Sequence, residues 1–293
     1  MGEVIPAPSG AQRDPATFSI GVSIRSIRAD PVWWLESAVR LDEAGYHWLW
    51  CWDHFMGQGD RTVPVVECWT ILSMAAARTQ RAIVAPFVLN VMNRHPAVLA
   101  RMASTLQIAS GGRLILGLGI GGAPREHAAY GIDFPDAPER VRHLEEAVAT
   151  IRALWTGGPV SRESELYPLD DATAYPLPSP PPPILIGGES RNGARLAARI
   201  GDGWSTFDEN FTDNLPLYLD TLEAEGRRRE DQLVLVGHQG GDWLGAGSAA
   251  ETEWVREPRA ARERWAEAGA DGAVVLARST ADVDALVEAV GRW

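Results

Sequence analysis

The chain carries 293 residues, 45% hydrophobic and 23% charged, with a formal net charge of -12. These are globular proportions, no apolar run approaches the roughly 20 residues that cross a bilayer, and the negative balance opposes attraction to phosphate backbones and anionic lipid, so neither nucleic acid nor a membrane is an expected partner. The two cysteines, Cys51 and Cys68, lack CxxC spacing and the six histidines include no H-x-x-x-H pair, so neither a disulfide framework nor a metal site is expected.

Residues 1–17 are polar, contain proline and alanine, and lack the basic and apolar regions of a secretory signal. They read as a flexible N-terminal segment of a cytoplasmic protein, ahead of one domain over residues 18–293. Phe18 to Ile24 predicts a strand, and Pro31 opens a helix with Leu35, Ala38, Val39 and Leu41 before Gly45. Tyr46 to Trp52 is a second strand, Glu67 to Arg78 a helix, and Ala82 to Val88 a β-branched third strand. Pro96 to Ala109 is the clearest helical period, with Val98, Leu99, Met102, Ala103 and Leu106 on one face. Leu114 to Leu118 gives a fourth strand, and Val141, Leu144, Val148, Ile151 and Trp155 mark a helix closing at Gly157 and Gly158.

From Pro159 to Pro183 a proline-dense run breaks the pattern and reads as an insertion at the barrel rim. Strands then recur at Ile184 to Ile186, Gly203 to Ser205, Leu233 to Val236 and Ala273 to Leu276, each followed by a helix. Strict alternation with crossover helices implies parallel strands, and eight such units fit an α/β protein of the (β/α)8 TIM barrel type with an insertion between strands four and five. Chemistry in such barrels sits at the carboxyl ends of the strands.

Strand two ends in Trp52, Asp53, His54 and Phe55. The imidazole could move a proton with the adjacent carboxylate tuning it, or Asp53 could cap loop backbone while His54 packs against tryptophan. Strand three runs through Pro86, Phe87, Val88 and Leu89 into either a bulge or a rigid exit turn. Gly117, Gly119 and Gly122 satisfy G-x-G-x-x-G, but after three complete βα units and close to Pro124. Gly119 and Gly121 therefore suit a strand end stripped of side chains so that a flat ring can lie on backbone. Gly187, Gly188, Glu189 and Ser190 precede a helix, which makes either a phosphate cradle with Arg191 or Arg195 nearby or an ordinary N-cap. His238 and Gln239 follow strand seven, and Arg278 follows strand eight; a lone imidazole there reads as a surface residue.

Five stretches taken in order resemble the luciferase-like monooxygenase superfamily, particularly its branch using the deazaflavin coenzyme F420. They are Trp50 to Phe55 (WCWDHF), Asn93 to Leu99 (NRHPAVL), Ala109 to Gly121 (ASGGRLILGLGIG), Glu126 to Gly131 (EHAAYG) and Pro183 to Trp204 (PILIGGESRNGARLAARIGDGW). The resemblance implies an insertion segment over the site, a cofactor ring on a bulge with a non-proline cis peptide near Pro86 and Phe87, and a homodimer. It makes His54 and Asp53 the catalytic candidates. Trp52, Pro86, Phe87, Leu89, Gly119, Gly121, Gly187, Gly188, Glu189 and Ser190 are then the cofactor-binding set.

Members that oxidise sugar phosphates carry an acidic residue where this chain has Gly122, and no basic cluster for a substrate phosphate is evident. The bulk of Trp52, Phe55, Phe87 and the proline-rich rim suggests instead an apolar pocket and a small, largely apolar substrate. The expected activity is hydride transfer with F420. The alternatives are an FMN-dependent monooxygenase using oxygen, with Glu189 and Ser190 similar to a phosphate-contacting pair, and a non-catalytic flavin-binding barrel.

Overall fold

The computed structural model describes residues 18–57, 60–238 and 247–292; the segment 1–17 and Gln239 lie outside the described residues. The first βα repeats are β1 (Ser19–Ile24), α1 (Pro31–Ala44), β2 (Trp48–Cys51) and α2 (Cys68–Arg78). Asp30 caps α1 by accepting from the Val32 and Trp33 amides with Pro31 at the first turn, and Gly45 ends the helix at φ 105°. The chain continues as β3 (Ile83–Pro86), β4 (Leu89–Asn90), α3 (Pro96–Ala109), β5 (Leu116–Gly119), α4 (Pro124–Tyr130) and α5 (Ala137–Trp155). A two-stranded antiparallel hairpin, β6 (Val160–Arg162) and β7 (Leu169–Ala172), follows. Then come β8 (Ile184–Gly187), α6 (Arg191–Ile200), β9 (Gly203–Phe207), α7 (Asp208–Ala224), β10 (Leu233–His238), α8 (Glu253–Arg256), α9 (Pro258–Glu267), β11 (Gly272–Ala277) and α10 (Thr280–Val290).

Nine parallel strands run in the order β3-β2-β1-β11-β10-β9-β8-β5-β4. The expected third strand is interrupted: β3 and β4 are two halves of one barrel position, separated by Phe87 and Val88, so nine strands fill eight places. Leu89 and Asn90 pair with Leu118 and Gly119, and a parallel bridge from Val84 to Leu114 closes the circle. The barrel expected from strand counting is therefore present. Two short helices, α4 and α8, were not anticipated, because seven and four residues are too few to show a helical period.

Segment 159–183 contributes no residue to the large cavity described below, contrary to an insertion lying over the site. It packs on the outer helices instead. Arg162 and Ser164 both bond the Glu146 carboxylate of α5, at 2.6 and 2.9 Å, and Gln107 of α3 donates to the Pro180 carbonyl at 3.1 Å.

Alternation along β2 divides the core in two. Leu49 and Cys51 join the layer between barrel and helices, whereas Trp48 and Trp50 enter the barrel interior with Ala85, Ile115, Leu185, Leu235 and Val274. Two indoles fit there because facing strands carry glycine. A Cβ on Gly21 would lie 2.6 Å from Trp50 Nε1 and 2.7 Å from Trp48 Cβ. The ring contacts climb from Trp48 to Trp50 (6.1 Å), to Phe87 (5.1 Å) and to Phe207 (6.4 Å) at the mouth.

Gly21→Ala is expected to destabilise the fold by about 1 to 3 kcal/mol through overpacking. Urea unfolding should show a lower midpoint with an unchanged slope.

Candidate active site

A cavity of about 1020 Å³ opens at the carboxyl ends of β2, β5, β8 and β9, at the upper end of the size range of small-molecule and cofactor sites. Trp52, Asp53, His54, Phe87, Gly119, Gly121, Gly187, Gly188, Glu189 and Ser190 all line it. Pro86 and Leu89 do not. Pro86 is a buried rung of β3 opposite Cys51, and Leu89 pairs with Leu118 and turns into the outer core.

Between those two residues lies a cis Phe87–Val88 peptide, one bond beyond the position expected. The lining residue of this turn that sequence reading missed is Val88. It wedges between strand ends: a Cβ on Gly119 would fall 2.7 Å from Val88 Cγ2, and one on Gly187 2.9 Å. Gly119 and Gly187 thus make room for this valine and also line the cavity. Gly121, at φ 71°, abuts the Asn90 side chain.

Asp53 follows β2, and its side chain is wholly buried. Its carboxylate accepts four bonds: Arg94 Nη1 at 2.8 Å, Arg94 Nη2 at 3.0 Å, Asn93 Nδ2 at 3.0 Å and the Asn90 amide at 3.0 Å. Burial opposes the charge on Arg94, yet the Asp53 and Glu67 carboxylates hold its guanidinium above the ordinary range. Both Asp53 oxygens are committed, so the acid–base role expected of Asp53 gives way to that of a brace tying the end of β2 to the turn before α3.

The carboxylate facing His54 belongs to Glu126 of α4, with Oε2 3.3 Å from His54 Nδ1. The His54 side chain is 21% exposed and that of Glu126 only 4%. The next residue, His127, anchors the helix: Nδ1 lies 2.8 Å from the Ala123 carbonyl, and Nε2 lies 2.7 Å from Asn90 Nδ2 and 3.1 Å from Asn93 Oδ1. Glu126 and His127 both line the cavity and were not singled out from sequence, although they open the stretch EHAAYG. A smaller cavity of about 300 Å³ adjoins His54, walled by Phe55, Val65, Glu67 and Tyr130. There the Tyr130 hydroxyl donates to the Phe55 carbonyl at 3.1 Å.

At the opposite end, Ser190 caps α6 by accepting from the Gly193 amide at 3.1 Å, and Trp204 Nε1 donates to the Gly188 carbonyl at 2.8 Å. Gly188 and Gly193 touch backbone to backbone, since a Cβ on Gly188 would lie 2.7 Å from the Gly193 carbonyl carbon. Arg195 and Arg199 line this end; Arg199 is paired with Glu145, whereas Arg195 makes one 3.4 Å contact to Asn192 Oδ1. Amides at a helix start with an arginine beside them can accept an anion as well as a cap. Burial, and secondarily Glu209, pushes the Glu189 carboxyl up.

His238, expected at the surface, is buried outside the barrel wall between Trp254 and Trp265, with Nδ1 2.9 Å from Asp208 Oδ2. Neither it nor Arg278 lines the cavity. Among the described residues no group of three or more His, Cys, Asp or Glu is placed to hold a metal, and no helix is long and apolar enough to cross a membrane.

The chain is a closed parallel barrel with an interrupted third strand, a histidine at one end of a carboxyl-end cavity and the capped start of α6 at the other. The family model described as luciferase-like monooxygenase matches residues 29–239, and the chain belongs to that family. It is 36% identical over 211 residues to an F420-dependent glucose-6-phosphate dehydrogenase of Microbacterium testaceum, covering 69% of this chain and 62% of that one. It is 31% identical to an F420-dependent hydroxymycolic acid dehydrogenase of Mycobacterium tuberculosis, covering 76% of this chain and 64% of that one. The chain thus spans somewhat under two thirds of the length of these relatives. Among solved structures, an F420-dependent secondary alcohol dehydrogenase in complex with an F420–acetone adduct superposes with a TM-score of 0.81, at 21% identity, over 93% of this chain and 99% of that one. At that identity the likeness concerns the fold.

Removing one partner of the buried Asp53–Arg94 pair strands the other charge, so Asp53→Asn should cost about 3 to 5 kcal/mol of stability. Arg94→Met should cost a similar amount, and chemical denaturation of the double variant should show less than the sum.

Proposed function

We propose that the protein is an F420-dependent dehydrogenase acting on a small, largely apolar alcohol or the corresponding carbonyl compound. The observation that carries this reading is the position of His54 at the junction of the two cavities, with the anion-binding start of α6 at the far end of the larger one. The residues present fit a ring with a phosphate-bearing tail: the Gly188–Gly193 contact and Ser190 shape a helix start that admits an anion, and Arg195 is free to pair with it. When bound, F420 supplies two-electron hydride chemistry.

Val88, Phe87 and the glycine strand ends form the floor on which a ring rests. His54 would take the proton of a substrate hydroxyl, or return one to a carbonyl oxygen, while bound F420 would accept or supply the hydride at the carbon that bears that oxygen. Phe55, Val65 and Tyr130 offer an apolar wall to the carbon skeleton of the substrate. The names of the relatives support F420 as the cofactor. The wall beside His54 carries Glu67 and no arginine, and Gly122 stands where members that oxidise sugar phosphates carry an acidic residue; both favour a neutral substrate over a sugar phosphate. The family resemblance also supports a homodimer working in the cytoplasm.

Titrating the protein with F420 and FMN in parallel should show tight binding of F420 alone; preference for FMN, with oxygen consumed on reduction, would overturn the proposal. His54→Asn should lower kcat for a secondary-alcohol series by about 100-fold or more while F420 affinity holds. Arg195→Ala should weaken F420 binding by about 10-fold, the worth of one charge-assisted hydrogen bond.

A further inference from the structure

We infer that Glu126 is a positioning residue that fixes His54 in the Nδ1–H tautomer, leaving Nε2 as the nitrogen offered to the substrate. The inference rests on the reading of His54 as the proton-moving group. The adjacent carboxylate, Asp53, is spent on Arg94, Asn93 and the Asn90 amide. Trp52 stands edge-on to the imidazole at 6.5 Å, and the ring's one described hydrogen-bond partner is the Glu126 carboxylate at 3.3 Å from Nδ1, at the long end of an N–H···O bond. An ionised carboxylate only accepts, so Nδ1 has to donate, and the neutral ring then carries its lone pair on Nε2.

Glu126 is held where it can do this. Its helix has only seven residues and no side-chain N-cap, yet His127 on the same turn is bonded to the Ala123 carbonyl and sits against Asn90 and Asn93. Those asparagines are themselves tied to Asp53 through the Asn90 amide and Asn93 Nδ2. The buried brace beneath His54 therefore sets the carboxylate beside it. When Nε2 accepts a proton, the imidazolium is paired at once with a carboxylate that is almost fully withdrawn from water, where a charge-assisted bond is strong.

The tautomer can be read without cofactor or turnover. In the full chain labelled with ¹⁵N-histidine, at a pH above the ordinary histidine range, the His54 signal is assigned by its loss in His54→Asn. The expected pattern is that of Nδ1–H in the parent and a shift towards the Nε2–H form favoured by an unconstrained imidazole in Glu126→Leu. Nε2–H in the parent, or an unchanged pattern in Glu126→Leu, would overturn the inference. The isosteric Glu126→Gln should keep F420 affinity and KM while kcat falls by about 10- to 100-fold, and Glu126→Asp should recover part of that loss; a fall confined to KM would also count against it. A failure of the F420 reading shows in the cofactor titration, whereas a failure of this inference shows in the nitrogen shifts.

Discussion

The interior of this barrel is filled by two indoles, and their size constrains everything above them. Trp48 and Trp50 take space that several smaller side chains would otherwise share, so Gly21 on the adjacent β1 and Gly272 on β11 beyond it must stay bare. The edge of Trp50 meets Phe87, which brings the end of the third strand inward over the packed interior. Val88 is carried with it into the gap between β5 and β8, and that gap exists only because Gly119 and Gly187 lack a Cβ. The floor of the cavity is the top of a packed aromatic column, and its shape descends from residues that never meet a ligand.

A second network orders the polar wall. The Asp53–Arg94 pair joins the end of β2 to the turn before α3, Asn90 and Asn93 extend from that pair to His127, and α4 hangs from His127. A buried ion pair contributes little net stability when its desolvation is counted. Here its effect is spatial: it fixes a short helix, otherwise weakly specified, at one distance from His54.

Much of the fold was legible in the sequence because its signals are local. Pro31 and Pro96 mark helix starts, Gly45 marks a stop, and the apolar period of Pro96–Ala109 predicts its helix to the residue. The strand count followed from repeated alternation. Less visible were features that depend on what lies across the barrel. Whether the face shared by Trp48 and Trp50 looks inward is a matter of which strands carry glycine opposite it. The pairing of Asp53 with Arg94 joins residues 41 apart, and that of His54 with Glu126 joins residues 72 apart, so adjacency in sequence suggested the wrong carboxylate for the histidine. Gly119 and Gly187 also accommodate Val88, which only the interrupted third strand, moving this valine inward, reveals.

The hairpin of β6 and β7 has a different bearing on the molecule. It is fastened to α5 through Glu146, its segment is tied to α3 through Gln107, and neither lines the cavity. Its length and sequence can therefore drift between descendants without passing through the chemistry, whereas a change in the glycines or the aromatic column cannot. The insertion is a module open to recruitment, for assembly or for recognition at the outer surface, with the cavity left as it is.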